Sequence, residues 1–562
     1  MPIAPAETTP RAAGPATALR AATLCCWAAA AGAALAQEPA GAPAPAGPGA
    51  AVESAAVAAR FPEPAVAYRT PAFEPGRSAW TSNAELHALL RVLVREGESA
   101  AGIVKLLSLG SSQTGVPIEA LLFTRDAGST ATPPRATRPT VLLIGQQHGD
   151  EPAGAEALIV IAQELAGGKL QPLLERINVV VLPRANPDGA ALDRRASASG
   201  IDINRDHLLL RTPEAQALAQ LVREFRPLVV ADLHEHAAIA HYVEKFGAVQ
   251  RADALLQHAL TPNLPELVTK AADEWFRLPL QQGLRREGLS SDWYHTTSDD
   301  LNERRLAMGG VQADNGRNVN GLRNAVSLLI DTRGADLGRT HAGRRVHSQV
   351  VAATVVLNSA AARAADLARL RLFVDQELSA KACRGEIVVD AATTPSEYTL
   401  VMLDPLTGLD KPVTVAWDSA LELKPLKRRA RPCGYWLGAG EIDAVLRLRG
   451  LGVQVQRLEQ AGALRAETYA EISRETAARP DGRTSIADGA VVPRIKVELV
   501  ASLIDVNAGS YYVGLDQPLA NLALAALEPD TAGSYLSHRV ITALQGLARV
   551  LQRPEVKMSL VP

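Results

Sequence analysis

Two side chains able to hold a metal ion, His148 and Glu151, stand in the segment GQQHGDEPAG, directly after the apolar run Thr140 to Ile144. Strand ends that break into a Gly-rich turn before a helix are where open α/β sheets build their sites. A catalytic zinc site needs three protein donors and one open position, with imidazole nitrogen and carboxylate oxygen as usual donors. His148 and Glu151 supply two. The third candidate is His234 in VVADLHEHA, again closing an apolar run, with His236 and His241 as competitors beyond the strand end.

A histidine followed at this spacing by a glutamate is common by chance, so the residues between the candidates decide. Asn186-Pro187-Asp188-Gly189 follows the run Ile177 to Leu182, and Arg195 precedes GIDINRD, which holds Asn204 and Arg205. Two arginines and an amide beside a metal suit a substrate that bears a carboxylate and develops an oxyanion, because guanidinium pairs with carboxylates through two bonds. A turn and two surface ion pairs explain each motif alone. They do not explain all of them in this order.

The succession HGDE, NPDG, RASASGIDINR and DLHE resembles the zinc metallocarboxypeptidase family (M14, carboxypeptidase A-like) over roughly residues 80 to 345. The resemblance implies one zinc ion on His148, Glu151 and His234. It implies that Arg195 polarises the scissile carbonyl, and that Asn204 and Arg205 hold the free C-terminal carboxylate of a peptide substrate. The wording HGDEP is similar to bacterial members that act on cell-wall peptides. Where the family carries a glutamate as general base, SLLIDTRG carries Asp331, one methylene or about 1.5 Å shorter. The bland alternative for Asp331 is a strand-end ion pair with Arg333. The family's loop tyrosine has no counterpart by spacing near Gly309-Gly310. Tyr294 and Tyr242 are the nearest tyrosines, and Arg317 and Asn318 in DNGRNVNG are further candidates for the pocket wall. Two other functions stay open. One is an N-acyl amino acid deacylase of the desuccinylase or aspartoacylase type; the other is a non-catalytic peptide-binding protein on a decayed peptidase fold.

These residues need a frame. Thr140 to Ile144, Ile177 to Leu182, Leu228 to Leu233 and Val326 to Ile330 read as strands, and 83–95, 153–166 and 213–225 have helical spacing. Near-continuous apolar strands alternating with helices predict an α/β fold with a mixed, centrally parallel sheet flanked by helices. GEIVVDA, YTLVML, VTVAW, VQVQRL and IKVELV predict a smaller strand-rich α+β accessory domain with one helix at 439–449, and the polar run from Arg474 to Gly489 reads as a mobile loop. The expected organisation is a signal peptide over 1–36, a disordered Ala/Pro linker and N-terminal extension over 37–79, and a catalytic domain over 80–345. A helical connector over 346–380 and the accessory domain over 381–562 complete it.

Arg11 and Arg20 precede the apolar stretch Ala21 to Leu35, and Ala34-Leu35-Ala36 offers a cut before Gln37. This pattern predicts export, to the periplasm, and no stable membrane insertion once the leader is removed. Of the four cysteines, Cys383 and Cys433 then remain, either as a disulfide or as two packed thiols. With a net charge of −2, there is no bulk attraction to nucleic acid or to an anionic membrane.

Overall fold

The computed structural model describes residues 52–99, 103–125, 138–298, 300–478, 491–531 and 533–561. The expected leader and residues 37–51 of the expected linker lie outside the described residues. The first sheet uses β1 (Val104–Ser111), β2 (Pro117–Phe123), β3 (Thr140–Gly145), β4 (Asn178–Leu182), β5 (Val229–His236), β6 (Ala254–His258) and β7 (Ser291–Trp293). After β8 (Arg305–Ala307), which joins a second sheet, β9 (Val326–Arg333) completes it in the order β1-β2-β4-β3-β5-β9-β6-β7. Strands β4, β3, β5 and β9 run parallel, while β2 and β6 meet this block antiparallel from either side. The sheet is mixed and centrally parallel.

Alternation along β3 shows why these strands are apolar throughout. Val141 and Leu143 enter one core, and Leu142 and Ile144 the other. Helices Ala153–Gly167 and Ala342–Ala362 cover the first face through Leu158, Ile161, Val346 and Leu357. Helix Pro213–Phe225 covers the second through Leu218, Leu221 and Phe225. That helix starts where Thr212 accepts the Ala215 N–H, with Pro213 at its first position. A sheet covered on both faces leaves its strand ends as the open place for chemistry.

The Ala-rich stretch forms two helices, Ala342–Ala362 and Ala364–Ala380, broken at Arg363. Beyond them β10 (Glu386–Leu403) and β11 (Asp410–Ala430) form a long hairpin, to which β8 adds in parallel. Strands β12 (Gly434–Leu437), β13 (Gln456–Leu458), β14 (Gly462–Ala478), β15 (Val491–Val506), β16 (Tyr511–Gly514), β17 (Leu547–Val550) and β18 (Met558–Leu560) make a seven-stranded sheet. Its core is continuous with the earlier part of the chain: Leu208, Leu210, Val319 and Leu322 pack in one cluster with Tyr435, Leu448, Leu524 and Tyr535. Cys383 and Cys433 form a disulfide.

Two expectations change. Within the stretch 37–79, expected as a disordered linker and N-terminal extension, the chain is ordered from residue 52: Ser54 caps the helix Ala55–Ala58, and Val57 and Phe61 are buried against Leu337 and Leu403. Glu53 joins them by binding Arg333 and His341. Low overall apolarity hid two side chains that fill a groove made elsewhere. In the predicted mobile loop, residues 474–478 continue β14, and 479–490 lie outside the described residues.

Candidate metal centre and active site

Beyond β3 the chain turns through His148 to Glu151, and the turn is locked by backbone contact. A Cβ on Gly149 would lie 2.0 Å from the Gly189 carbonyl carbon, and one on Gly189 would lie 2.4 Å from Asn186 Nδ2. The HGDE and NPDG turns therefore interlock at a distance only glycine permits. Asn186 accepts the Gly189 N–H at 2.9 Å and donates to the Gln147 and Arg195 carbonyls at 3.1 and 3.2 Å. Asp188 accepts from Ser112 Oγ at 2.6 Å and from the Thr114 N–H at 3.1 Å. NPDG acts as the brace of the ligand turn.

One donor atom each from His148, Glu151 and His234 lies within 4.8 Å of the others, and all three residues are buried. Glu151 Oε1 is 2.8 Å from His148 Nδ1, Glu151 Oε2 is 2.8 Å from His234 Nδ1, and the two Nδ1 atoms are 3.0 Å apart. The far nitrogens meet carboxylates: His148 Nε2 lies 3.1 Å from Asp202 Oδ1, and His234 Nε2 lies 3.0 Å from Asp232 Oδ2. A carboxylate on Nε2 fixes the tautomer that turns Nδ1 toward the centre and raises its basicity, as in carboxylate–histidine–zinc arrangements. His236 does not compete, since its Nδ1 donates to the Asp331 carbonyl at 3.0 Å, and the His241 side chain is 42% exposed.

Charge balance keeps the donors ready. Burial opposes ionisation of Glu151, but His148 and His234 outweigh it and hold the carboxyl well below the usual range. Burial likewise opposes ionisation of Asp202, where Arg195 and His148 prevail. For His234 burial favours the neutral ring, yet Asp232 and Glu151 lift its pKa well above the ordinary value. Gln147 extends the support, donating to Asp232 Oδ2 at 2.6 Å and accepting from His207 Nε2 at 2.8 Å. Burial pushes His207 down to about 4, so this ring is neutral at pH 7. A cluster of ionised carboxylates around a His234 ring with a raised pKa exchanges the ring proton for a divalent cation. Its two imidazoles and one carboxylate are a zinc donor set.

The other candidates border the same cavity of about 30 Å³. Arg195 reaches Asp202 Oδ2 through Nε and Nη2 at 3.1 and 2.9 Å, and Glu151 Oε1 through Nη1 at 3.1 Å. Asn204 accepts the Gly316 N–H at 2.8 Å, with its Nδ2 3.2 Å from His234 Nε2, and Arg205 Nη1 donates to the Asn204 carbonyl at 2.8 Å. Asp331 is the register partner of His234 across β5 and β9, and it too lines the cavity. Among the described residues its Oδ1 has no hydrogen-bond partner; His236 Nδ1 is 3.7 Å away. The ion pair with Arg333 does not form, because Arg333 turns to Glu53 and donates to the Gln250 carbonyl at 2.6 Å.

Of the two tyrosines, Tyr294 lines the cavity and Tyr242 packs with Phe246 in a core cluster. Gly309 sits at φ +81°, and a Cβ there would lie 2.8 Å from Tyr294 Cε1, so the loop glycine makes room for a ring arriving from the end of β7. Arg317 stacks on that ring at 5.4 Å and donates to the Gly310 carbonyl at 3.1 Å. Asn318 instead braces the loop, donating to the Gly310 and Gln312 carbonyls at 3.1 and 2.8 Å. A roomier cavity of about 220 Å³ lies across Gly309 and Gly310, but the metal-capable cluster belongs to the smaller one.

Sequence reasoning passed over Asp202, Asp232 and Gln147. Asp232 stands two residues before His234 on a strand, hence on the same face, and that signal was available. The contacts of Asp202 and Gln147 depend on which loops meet.

Residues 90–248 match the zinc carboxypeptidase family profile, a segment that holds His148, Glu151, His234, Arg195, Asn204 and Arg205. The chain is 29% identical over 437 residues to Carboxypeptidase 2 of Trichophyton rubrum, covering 76% of this chain and 78% of that protein. The matched segment is a zinc carboxypeptidase domain. Carboxypeptidase D of Mus musculus is 30% identical over 182 residues, 25% of this chain and 13% of the mouse protein. Among solved structures, a metallo-carboxypeptidase from Pseudomonas aeruginosa is 21% identical, covers 49% of this chain and 68% of that one, and has a TM-score of 0.35. The family cofactor is zinc, and the His-Glu-His group provides for it. Asp331 lies beyond the matched segment.

Proposed function

We propose that this zinc carboxypeptidase removes C-terminal residues from peptides in the cell envelope, cell-wall peptides among them, with Asp331 as general base. The observation that carries the reading is that the Asp331 carboxylate and the Arg195 guanidinium border one cavity with His148, Glu151 and His234. Zinc on these donors supplies Lewis acidity toward water and toward a carbonyl oxygen. Asp331 takes the proton of the attacking water and returns it to the leaving amine. Arg195, held by Asp202, offers fixed positive charge to the oxyanion that develops on the carbonyl. Asn204 and Arg205 bind the substrate's terminal carboxylate, which restricts cleavage to the chain end. The envelope location draws support from the leader-like N-terminus and from the Cys383–Cys433 disulfide, a bond that persists in oxidising compartments.

Mass-spectrometric profiling of a peptide library with muropeptides and N-acyl amino acids, with and without chelator, tests this. The expected result is loss of single C-terminal residues that stops on zinc removal and returns with zinc. Cleavage that survives complete zinc removal would sink the proposal. Cleavage confined to N-acyl amino acids would reassign the site to the deacylase reading, and zinc binding without any cleavage would favour a peptide-binding protein.

A further inference from the structure

Away from the metal centre, a cavity of about 210 Å³ opens where the end of helix Pro213–Phe225 meets the C-terminal sheet region. Four arginines line it: Arg223, Arg226, Arg323 and Arg371. A single carboxylate answers them. Asp375 receives Arg371 Nε on both oxygens at 2.8 and 2.9 Å, lies 3.5 Å from Arg226 Nη2, and also accepts from Asn324 Nδ2 at 2.9 Å. Four guanidinium groups against one carboxylate leave an excess of three positive charges.

Arg323 carries the argument. It follows the helix Gly316–Leu322, is only 4% exposed, and donates through Nη2 to the Leu451 carbonyl at 2.8 Å. Among the described residues its Nε has no hydrogen-bond partner, and it forms no ion pair with an acid. Burial lowers its pKa to about 9, and the like charges of Arg223 and Arg371 act in the same direction. Arg223, exposed on the cavity rim, also pairs with no acid among the described residues. A surface ion-pair network explains Arg226, Arg371 and Asp375. It leaves Arg323 and Arg223 unexplained, because a buried cation without a counter-charge is costly and is ordinarily found paired.

We propose that this cavity binds a multiply charged oxyanion of the phosphate class, clamped between the catalytic region and the C-terminal region. Guanidinium forks match the paired oxygens of such an anion, and the excess charge matches its valence better than that of chloride. Leu451, Pro518 and Leu519 of the C-terminal region line the same cavity, so the bound anion ties that region to Arg323 and Arg371.

The test is calorimetric titration of inorganic phosphate into the full-length zinc-loaded protein, with ionic strength held constant by chloride, alongside thermal melts. The wild type is expected to bind saturably and to melt at higher temperature with phosphate. The R223Q/R226Q double variant, altered only at exposed positions, is expected to bind at least tenfold more weakly while cleaving peptide as before. Phosphate binding undiminished in the double variant, as binding at the metal centre would produce, overturns the proposal. So does a melting shift that chloride reproduces at equal ionic strength, or no binding at all.

Discussion

The two halves of the candidate catalytic cavity are built to different standards of rigidity. The metal half rests on the ends of β3 and β5, where Gly149 and Gly189 interlock and each ligand histidine has a carboxylate behind it. The half that carries the proposed base rests on β9, where Asp331 Oδ1 has no hydrogen-bond partner among the described residues and shares the cavity with Gly309 and Gly310 of a loop braced by Asn318. Ligands must hold a fixed geometry, so their second contacts are satisfied. A proton carrier must exchange its partner during turnover, so a carboxylate left with spare acceptor capacity suits it.

Substitutions that act on one half alone break or sharpen this contrast. The largest effect is expected from His234→Ala: loss of stoichiometric zinc by elemental analysis and a fall in kcat/KM on the order of a thousandfold or more, since the metal term and the oxyanion term vanish together. Asp331→Asn should cut kcat by roughly a hundredfold to ten-thousandfold, the span of general-base contributions, while zinc content stays at one. Asp331→Glu restores the carboxylate at greater reach and should fall between the wild type and Asp331→Asn. If Asp331→Asn loses zinc instead, the two halves are not separable. Asp202→Asn and Asp232→Asn come next, each weakening zinc about tenfold to a hundredfold in competition with a chelator, the usual cost of removing a partner behind a ligand.

The same division separates what was legible in the sequence from what was not. The parallel centre of the sheet and the helix Pro213–Phe225 followed from periodicity, because burial on both faces forces continuous apolar runs and one-sided helices. The candidate ligand set was legible because His148 and Glu151 share one turn and His234 closes an apolar run, although β5 continues through His236, beyond the expected strand end. Tyr294 was not resolved from Tyr242, because its place depends on β7 lying beside β6 and on Gly309 yielding space, which are facts of packing. The hairpin β10–β11 was read as separate short pieces because Pro395 and the register shifts between Val388 and Thr394 interrupt its pattern. Glu53 was invisible for a similar reason. Its partners Arg333 and His341 lie nearly three hundred residues away.

A backbone test ranks below the ligand contacts. Gly149→Ala places a methyl against the Gly189 backbone, where neither turn can yield cheaply, and overpacking of this kind costs about 1–3 kcal/mol. The melting temperature should drop and zinc affinity should fall with it, since the ligand turn moves. A melt unchanged within error would show that the interlock is loose.

The smallest effect is expected at the anchor of the base half. Glu53 binds Arg333, two residues beyond Asp331 on β9, and accepts from His341 Nε2 at 2.7 Å. Burial tends to raise the Glu53 carboxyl, but the bond to His341 and the charge of Arg333 outweigh it and lower the pKa below the ordinary value of 4.5. A carboxyl whose folded pKa is depressed stabilises the fold fully above its unfolded pKa and loses that contribution as pH falls through the folded one. Glu53→Gln should therefore cost about 1–2 kcal/mol at pH 7, in the range of a charge-assisted hydrogen bond, and the gap to wild type should close as acid is added below pH 4.5. Zinc content should not change, and kcat should fall less than about tenfold, because Arg333 loosens the strand end without touching the ligands. A gap between the two melts that stays constant down to pH 3 would mean that Glu53 acts through packing and not through its charge.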